Sequence, residues 1–286
     1  MTTSDNQTHT PKAGRDLPVA IGVGVALFVS FAVGLIWFPW LFIGLVAVGL
    51  SAAAVEVHRA LLRKGMRAEI LPIVAGTALS VVGGYLAAVT DMRVTPTSFV
   101  IICLGATTIV ALAWRLFRGA EGFIRDVAAS ALVIAYIPLL GMFVPLLMAA
   151  PDGQLRILTV IACVVASDTG AYGVGSLIGR HKLAPHISPG KTWEGLAGGV
   201  AVTTAVAVLA SVFLLGAPWW VGVPLGVLVS LAATVGDLVE SLLKRDAGIK
   251  DMSNFLPGHG GVMDRLDSML VAVPVGWLVL HLALGG

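Results

Sequence analysis

Apolar runs of about 20 residues, the length of a helix that crosses the ~30 Å hydrocarbon core of a bilayer, recur along almost the whole chain. They follow a polar stretch at residues 1–16 that lacks periodicity and predicts a disordered cytoplasmic tail. The predicted spans have the approximate ranges 18–37, 38–57, 68–89, 98–117, 127–150, 155–178, 195–216, 219–243 and 264–284. We therefore expect an all-α polytopic membrane protein, with about five helices in residues 17–150 and about four in residues 151–286.

The composition supports this class of fold. Of the 286 residues, 57% are hydrophobic and 12% are charged, whereas soluble domains carry about 25% charged residues. A β-barrel porin is excluded because its strands alternate polar and apolar residues, and the composition also excludes a coiled coil or a disulfide scaffold. Cys103 and Cys163 lie inside apolar runs, which favours small buried side chains over a disulfide or a metal pair.

The distribution of basic residues predicts the orientation. If the N-terminus is cytoplasmic, all but two of the 18 lysines and arginines fall in the tail, in cytoplasmic loops or at the cytoplasmic membrane edge. The two exceptions are Arg93 and Arg156. Because cytoplasmic loops carry an excess of positive charge, we expect a cytoplasmic N-terminus and a C-terminus on the outer side of the inner (cytoplasmic) membrane.

Carboxylates occur inside the later spans, where ionisable groups are costly and usually functional. Asp168 lies in the sixth span, Asp237 and Glu240 lie in the eighth, and Asp264 and Asp267 open the ninth. With the predicted orientation, all five fall in the cytoplasmic half of the bilayer or at its edge. We therefore expect residues 151–286 to form the catalytic region, with a site that faces the cytoplasm.

The spacing of these carboxylates suggests a metal site. Asp237, Glu240 and Ser241 share one helix face, and Asp264 and Asp267 share another. Two helices that present carboxylates near one interface suit Mg²⁺, which prefers oxygen ligands.

Ion pairing at the membrane edge is the alternative. In that case Asp264 would pair with Arg265, and Asp246 with Lys250. For a single carboxylate the two interpretations are equally open, but the number of carboxylates favours the metal site.

Residues 167–195 form the segment between the sixth and seventh spans. Four glycines allow close approach of the backbone, and Arg180-His181-Lys182 follows them. Ser188-Pro189-Gly190-Lys191-Thr192 then places two hydroxyls and an ammonium just before a helix start, an arrangement that suits phosphate binding. The spacing is not that of a Walker A loop. A basic cytoplasmic loop with turn residues explains the same composition, and both interpretations stay open.

Residues 241–267 are denser in charge. Lys244, Arg245 and Lys250 alternate with Asp246 and Asp251. Cations beside carboxylates are what a metal–triphosphate site requires. A Pro-Gly-His-Gly-Gly turn follows, in which His259 either binds phosphate, donates a proton or serves only as a turn residue.

The same segment resembles the signature of the phosphatidate cytidylyltransferase (CDP-diacylglycerol synthase) family. That signature, S-x-x-K-R-x(4)-K-D followed by H-G-G-x-x-D-R-x-D, is present without departure between Ser241 and Asp267. The segments at 167–172, 187–195 and 236–241 are also similar to that family, so the resemblance covers residues 165–270. The first five spans are similar only in being apolar.

The resemblance implies a reaction in which CTP and phosphatidic acid give CDP-diacylglycerol and pyrophosphate with Mg²⁺. Asp237 and Asp264 correspond to its metal ligands. We further predict catalytic roles for Lys244, Arg245, Lys250, Asp251, His259, Arg265 and Asp267. The predicted substrate-binding residues are Asp168, Lys182, Ser188, Lys191, Thr192, Ser241 and Asp246. Members of the family are often homodimers. Whether a second, monovalent cation binds beside Mg²⁺ stays open. No nucleic-acid partner is expected.

Two other functions use similar residues. A CTP-dependent lipid or polyprenol kinase would transfer the γ-phosphoryl group, but the complete signature argues against it. An ion-coupled transporter also buries carboxylates, yet it requires them near the bilayer midplane and reachable from both sides.

Overall fold

The computed structural model describes residues 17–90, 92–256, 258 and 260–285. The predicted tail at residues 1–16 lies outside the described residues. The elements in chain order are α1 (Leu17–Ile36), α2 (Pro39–Arg63), α3 (Ile70–Val89), α4 (Pro96–Leu116), α5 (Phe123–Tyr136), α6 (Pro138–Gly141), α7 (Phe143–Met148), α8 (Gly153–Ile178), β1 (Lys182–Ala184), β2 (Ser188–Thr192), α9 (Trp193–Phe213), α10 (Trp219–Ala247) and α11 (Met263–Leu284).

The helices confirm the prediction of an all-α polytopic membrane protein. In the described part of the chain, 8 helices are long and apolar enough to cross a bilayer, if α5 to α7 count as one span over Phe123–Met148. The shorter apolar stretch Ile21–Ile36 belongs to α1 and coincides with the predicted first span. The side of the membrane on which each terminus lies stays a prediction.

The fifth span is broken into three segments. α5 ends at Tyr136, α6 begins at Pro138, and α7 contains Pro145. Proline lacks a backbone N–H and its ring collides with the preceding turn, so a helix ends or bends there. The sequence predicted one continuous helix at this place. The break instead leaves the Tyr136 ring buried at the end of α5.

The C-terminal helices pack in chain order, with α8 against α9, α9 against α10, and α10 against α11. Glycines let α9 and α10 approach closely. A Cβ at Gly222 would lie 2.4 Å from Val208 Cα, and one at Gly226 would lie 2.4 Å from Thr204 Cα. Small residues at such crossings let helix backbones touch in a bilayer. α2 packs against both α10 and α11 and so joins the two halves of the chain.

Two local features differ from the sequence prediction. The segment before α9 forms an antiparallel pair of strands, β1 and β2, rather than a loop. α10 extends to Ala247 instead of residue 243, and Gly248 ends it with φ +68°. A glycine in this left-handed conformation is a common helix C-cap. Lys244 and Arg245 therefore lie on the last helical turn, where basic side chains interact favourably with the helix dipole.

Candidate active site

The site lies where the C-terminal end of α10 meets the start of α11. The two backbones are in close contact at Gly236, where a Cβ would lie 2.3 Å from the carbonyl oxygen of Asp267. A larger residue would separate the helices at this point. Close contact brings the acidic residues of α10 and α11 to one interface.

Asp237 connects α10 to the strand pair. Lys191 Nζ, on β2, lies 2.6 Å from Asp237 Oδ2. The Ser241 hydroxyl donates to Asp237 Oδ1 at 3.3 Å, one helical turn further on. The structure thus brings together three predicted site residues that come from two separate sequence segments.

Asp264 is held more tightly than Asp237. Lys244 Nζ donates to Asp264 Oδ1 at 2.9 Å, and the backbone amides of Met252 and Gly261 donate to Oδ2 at 2.9 and 2.8 Å. Lys244 also pairs with Glu240, whose side chain is fully buried. One ammonium therefore serves two carboxylates from different helices.

Asp168 and Asp267 complete an acidic cluster. Asp168, on α8, interacts electrostatically with Asp237 and Lys191, and Asp267 interacts with Asp168, Asp237 and Lys244. Asp267 Oδ1 accepts the amide of Ser268 at 2.7 Å. We define the acidic cluster as the five carboxylates of Asp168, Asp237, Glu240, Asp264 and Asp267. Lys191 and Lys244 form ion pairs with three of these carboxylates, those of Asp237, Glu240 and Asp264.

Other predicted residues lie around this cluster with different partners. Arg245 Nε donates to the carbonyl of Ile187 at 3.4 Å and so connects α10 to the strand pair. Asp246 pairs with Lys64 at 3.1 Å rather than with Lys250. Thr192 is buried, and its hydroxyl oxygen caps α9 by accepting the Gly195 amide at 3.1 Å.

The remaining predicted residues are at the surface or outside the described part. Lys182, Lys250, Asp251 and Arg265 are exposed and Ser188 is half-buried. Asp251 lies beside Gly260, near the start of α11. His259 lies outside the described residues, so its predicted role stays a prediction.

Glu56, on α2, is not among the site residues predicted from the sequence, yet it contacts the signature segment, residues 241–267. Its buried carboxylate accepts hydrogen bonds from Ser253, Val262 and Met263. One feature of the sequence pointed to this role, because Glu56 is a carboxylate near the end of the otherwise apolar predicted span 38–57.

The chemistry of the acidic cluster fits Mg²⁺. Within the described ranges, no group of three or more His, Cys, Asp and Glu side chains is arranged to hold a metal ion. Asp168 accepts no hydrogen bond from the described residues, and Asp267 accepts one, so both retain oxygen lone pairs. Carboxylate oxygens of this kind are the hard donors that this cation prefers.

Comparison with known proteins identifies the family of the chain. A model described as the cytidylyltransferase family matches residues 18–283. The chain is 38% identical to a phosphatidate cytidylyltransferase of Mycobacterium leprae, over 96% of this chain and 90% of the relative. It is 36% identical to a protein of the same name from Mycobacterium bovis, over 96% of this chain and 92% of the relative. A third protein of that name, from Pseudomonas aeruginosa, is 53% identical over 42% of this chain and 45% of the relative. With the family match covering nearly its whole length, the chain belongs to the cytidylyltransferase family.

Proposed function

We propose that the chain transfers the cytidylyl group of CTP to phosphatidic acid, which gives CDP-diacylglycerol and pyrophosphate. The observation that carries this proposal is the acidic cluster with its two lysines, assembled from α8, β2, α10 and α11 at one end of the helix bundle. The names of the relatives, which are phosphatidate cytidylyltransferases, support the same reaction.

In the proposed step, an oxygen of the phosphatidate attacks the α-phosphorus of CTP. The bond from the α-phosphorus to the oxygen that bridges it to the β-phosphate breaks, and pyrophosphate leaves with that oxygen and its electron pair. No general base is needed because a phosphate monoester is largely ionised near pH 7. The main obstacle is the repulsion between two anions, so catalysis rests on positioning and on charge neutralisation.

The lysines of the site are suited to neutralising phosphate charge. Lys191 and Lys244 already contact carboxylates of the acidic cluster, and each retains N–H donors for phosphate oxygens. Arg245, Lys250 and Arg265 lie near the same helix ends and add positive charge around the triphosphate. Ser188 and Thr192, at the two ends of β2, lie beside Lys191 in the segment that would bind one phosphate group.

Asp237 and Asp264 would hold Mg²⁺, with Asp267 and Glu240 orienting them. When bound, this ion supplies positive charge to the phosphate oxygens and fixes their position. Because Asp237 and Asp264 now pair with lysines, metal binding would compete with those ion pairs.

The membrane setting defines how the substrates would arrive. The acyl chains of phosphatidic acid would stay in the bilayer beside the helices, and CTP would enter from the cytoplasm. A site at the cytoplasmic membrane interface requires the predicted orientation. The residues of the proposed site all come from one chain, so the proposal does not require a homodimer.

An assay with labelled CTP tests the reaction. Purified enzyme in detergent micelles would receive phosphatidic acid, Mg²⁺, and CTP labelled either in the cytidine or at the γ-phosphate. Cytidine label in the lipid product is the expected result. Label from the γ-phosphate alone would instead identify a lipid kinase. Accumulation of a solute in vesicles without CTP consumption would identify a transporter.

A further inference from the structure

The Glu56 carboxylate, on α2, binds both ends of the segment that precedes α11. Oε1 accepts the Ser253 hydroxyl at 2.5 Å and the Val262 amide at 3.0 Å, and Oε2 accepts the Met263 amide at 2.8 Å. The residue is only 3% exposed. Its partners are separated from it by about 200 positions of sequence, so these bonds join the N-terminal half of the chain to the signature segment.

These bonds supply a cap that α11 lacks locally. Val262 is the N-cap residue and Met263 is the first helical residue, and neither has a side chain that accepts a hydrogen bond. The first amides of a helix need such acceptors. Glu56 provides them from another helix, and its negative charge is favourable at a helix N-terminus.

Asp264 binds the same turn from the other side. It accepts the Gly261 amide, while Glu56 accepts the next two amides along the chain. A Cβ at Gly261 would lie 2.7 Å from Glu56 Oε2 and 2.9 Å from Asp264 Oδ2. The turn is therefore held between two carboxylates. Because Glu56 fixes the position of this turn, it also fixes the position of Asp264.

We propose that Glu56 is a positioning residue, which holds Ser253, Val262 and Met263 so that Asp264 faces the other carboxylates of the acidic cluster. This inference rests on the proposed function where it concerns the metal. It assigns to α2 a part in the active site, although none of the site residues predicted from the sequence lies in that helix. Glu56 itself does not contact the substrate in this proposal.

Glu56→Gln is the informative substitution. It keeps the volume of the side chain but replaces one oxygen with an amide group that cannot accept a hydrogen bond. At least one of the two α11 amides, or the Ser253 hydroxyl, then loses its acceptor. We expect faster hydrogen exchange at residues 252–263 in the metal-free protein. We also expect the Mg²⁺ concentration for half-maximal activity to rise about 10-fold, as for other residues that orient metal ligands.

Glu69→Gln is the matched control. Glu69 is also a buried carboxylate of the N-terminal half, but it pairs with Arg118, and its amide donates to Ser130 Oγ at 2.9 Å. It has no hydrogen bond to the signature segment among the described residues. Its substitution should lower the unfolding temperature while leaving exchange at 252–263 and the Mg²⁺ requirement unchanged.

The measurements would use the full chain in detergent, with exchange followed by mass spectrometry on the metal-free protein. Wild-type exchange and Mg²⁺ dependence in Glu56→Gln would overturn the proposal, as would equal effects in both variants. If Glu56→Gln fails to fold, Ser253→Ala is the second variant. It removes the bond to Glu56 and also the acceptor of the Phe255 amide, so the readout is exchange at residues 260–263. Exchange there should still be faster than in the wild type, and unchanged exchange would again overturn the proposal. A wild-type enzyme without cytidylyl transfer would refute the proposed function, whereas the exchange measurement would still test the role of Glu56.

Discussion

Replacing Lys244 with methionine tests how the buried carboxylates are held. Lys244 lies between Glu240, which is fully buried, and Asp264, whose side chain is 8% exposed. Methionine has a similar length but no charge. In the variant, Glu240 is left buried without a partner for its charge.

The loss of stability in Lys244→Met follows from the burial of the two carboxylates. Removing one partner of a buried ion pair destabilises a protein by roughly 3–5 kcal/mol. The Lys244 side chain is 18% exposed, so solvent screens part of the interaction, and we expect the free energy of unfolding to fall by about 3 kcal/mol. A loss of that size lowers the unfolding midpoint by roughly 6–12 °C in a chain of this size.

The two cysteines provide the assay. Cys103 is 5% exposed and Cys163 is 0% exposed, so a thiol-reactive dye in detergent reports the unfolding of the chain. Lys244→Met should melt earlier than the wild type. The double variant Lys244→Met with Glu240→Gln removes both charges and should recover most of the stability. Its cytidylyl transfer should stay low, because the ammonium that neutralises phosphate is still missing.

Two results would refute this reasoning. A wild-type melting midpoint in Lys244→Met would mean that Glu240 does not depend on the ion pair. Recovery of turnover together with stability in the double variant would mean that the reaction does not use the charge of Lys244.

Three further outcomes are expected from the same structure. Gly236→Ala should lower the free energy of unfolding by about 1–3 kcal/mol, because its Cβ would collide with the Asp267 carbonyl. The same dye measures the effect, and Gly44→Ala, where a Cβ meets nothing within 4 Å, should be nearly neutral. Equal effects of the two substitutions would contradict the packing argument. Lys250→Cys should react with a membrane-impermeant thiol reagent from the cytoplasmic side and Arg93→Cys from the outer side; the reverse pattern would contradict the orientation. Chelation of Mg²⁺ should abolish turnover, and its return should restore turnover, whereas full activity in excess chelator would contradict a metal requirement.

The sequence predicted the spans because the bilayer imposes their length and apolar character. It also placed the acidic residues correctly in the later helices, since carboxylates such as Asp168 stand out in apolar runs. The break after Tyr136 was missed, because proline is also tolerated inside membrane helices. The strand pair was missed because β1 and β2 are only 3 and 5 residues long.

The partners of the charged residues were harder to predict than their positions. In the alternative of ion pairs at the membrane edge, spacing assigned Lys250 to Asp246, but the structure pairs Asp246 with Lys64, which lies 182 residues away. The role of Glu56 was not predicted for the same reason, since its partner Ser253 is 197 residues away in the sequence. Such contacts depend on how α2 packs against α10 and α11, which a single sequence does not specify.

The position of the metal tests the central claim most directly. Crystals grown with Mn²⁺ in place of Mg²⁺ would locate the ion by anomalous scattering. The account predicts a peak between α10 and α11, within about 2.0–2.2 Å of oxygens from both Asp237 and Asp264, close to the distances of Mg²⁺. A peak away from both carboxylates, or density that directs either side chain towards lipid, would contradict it.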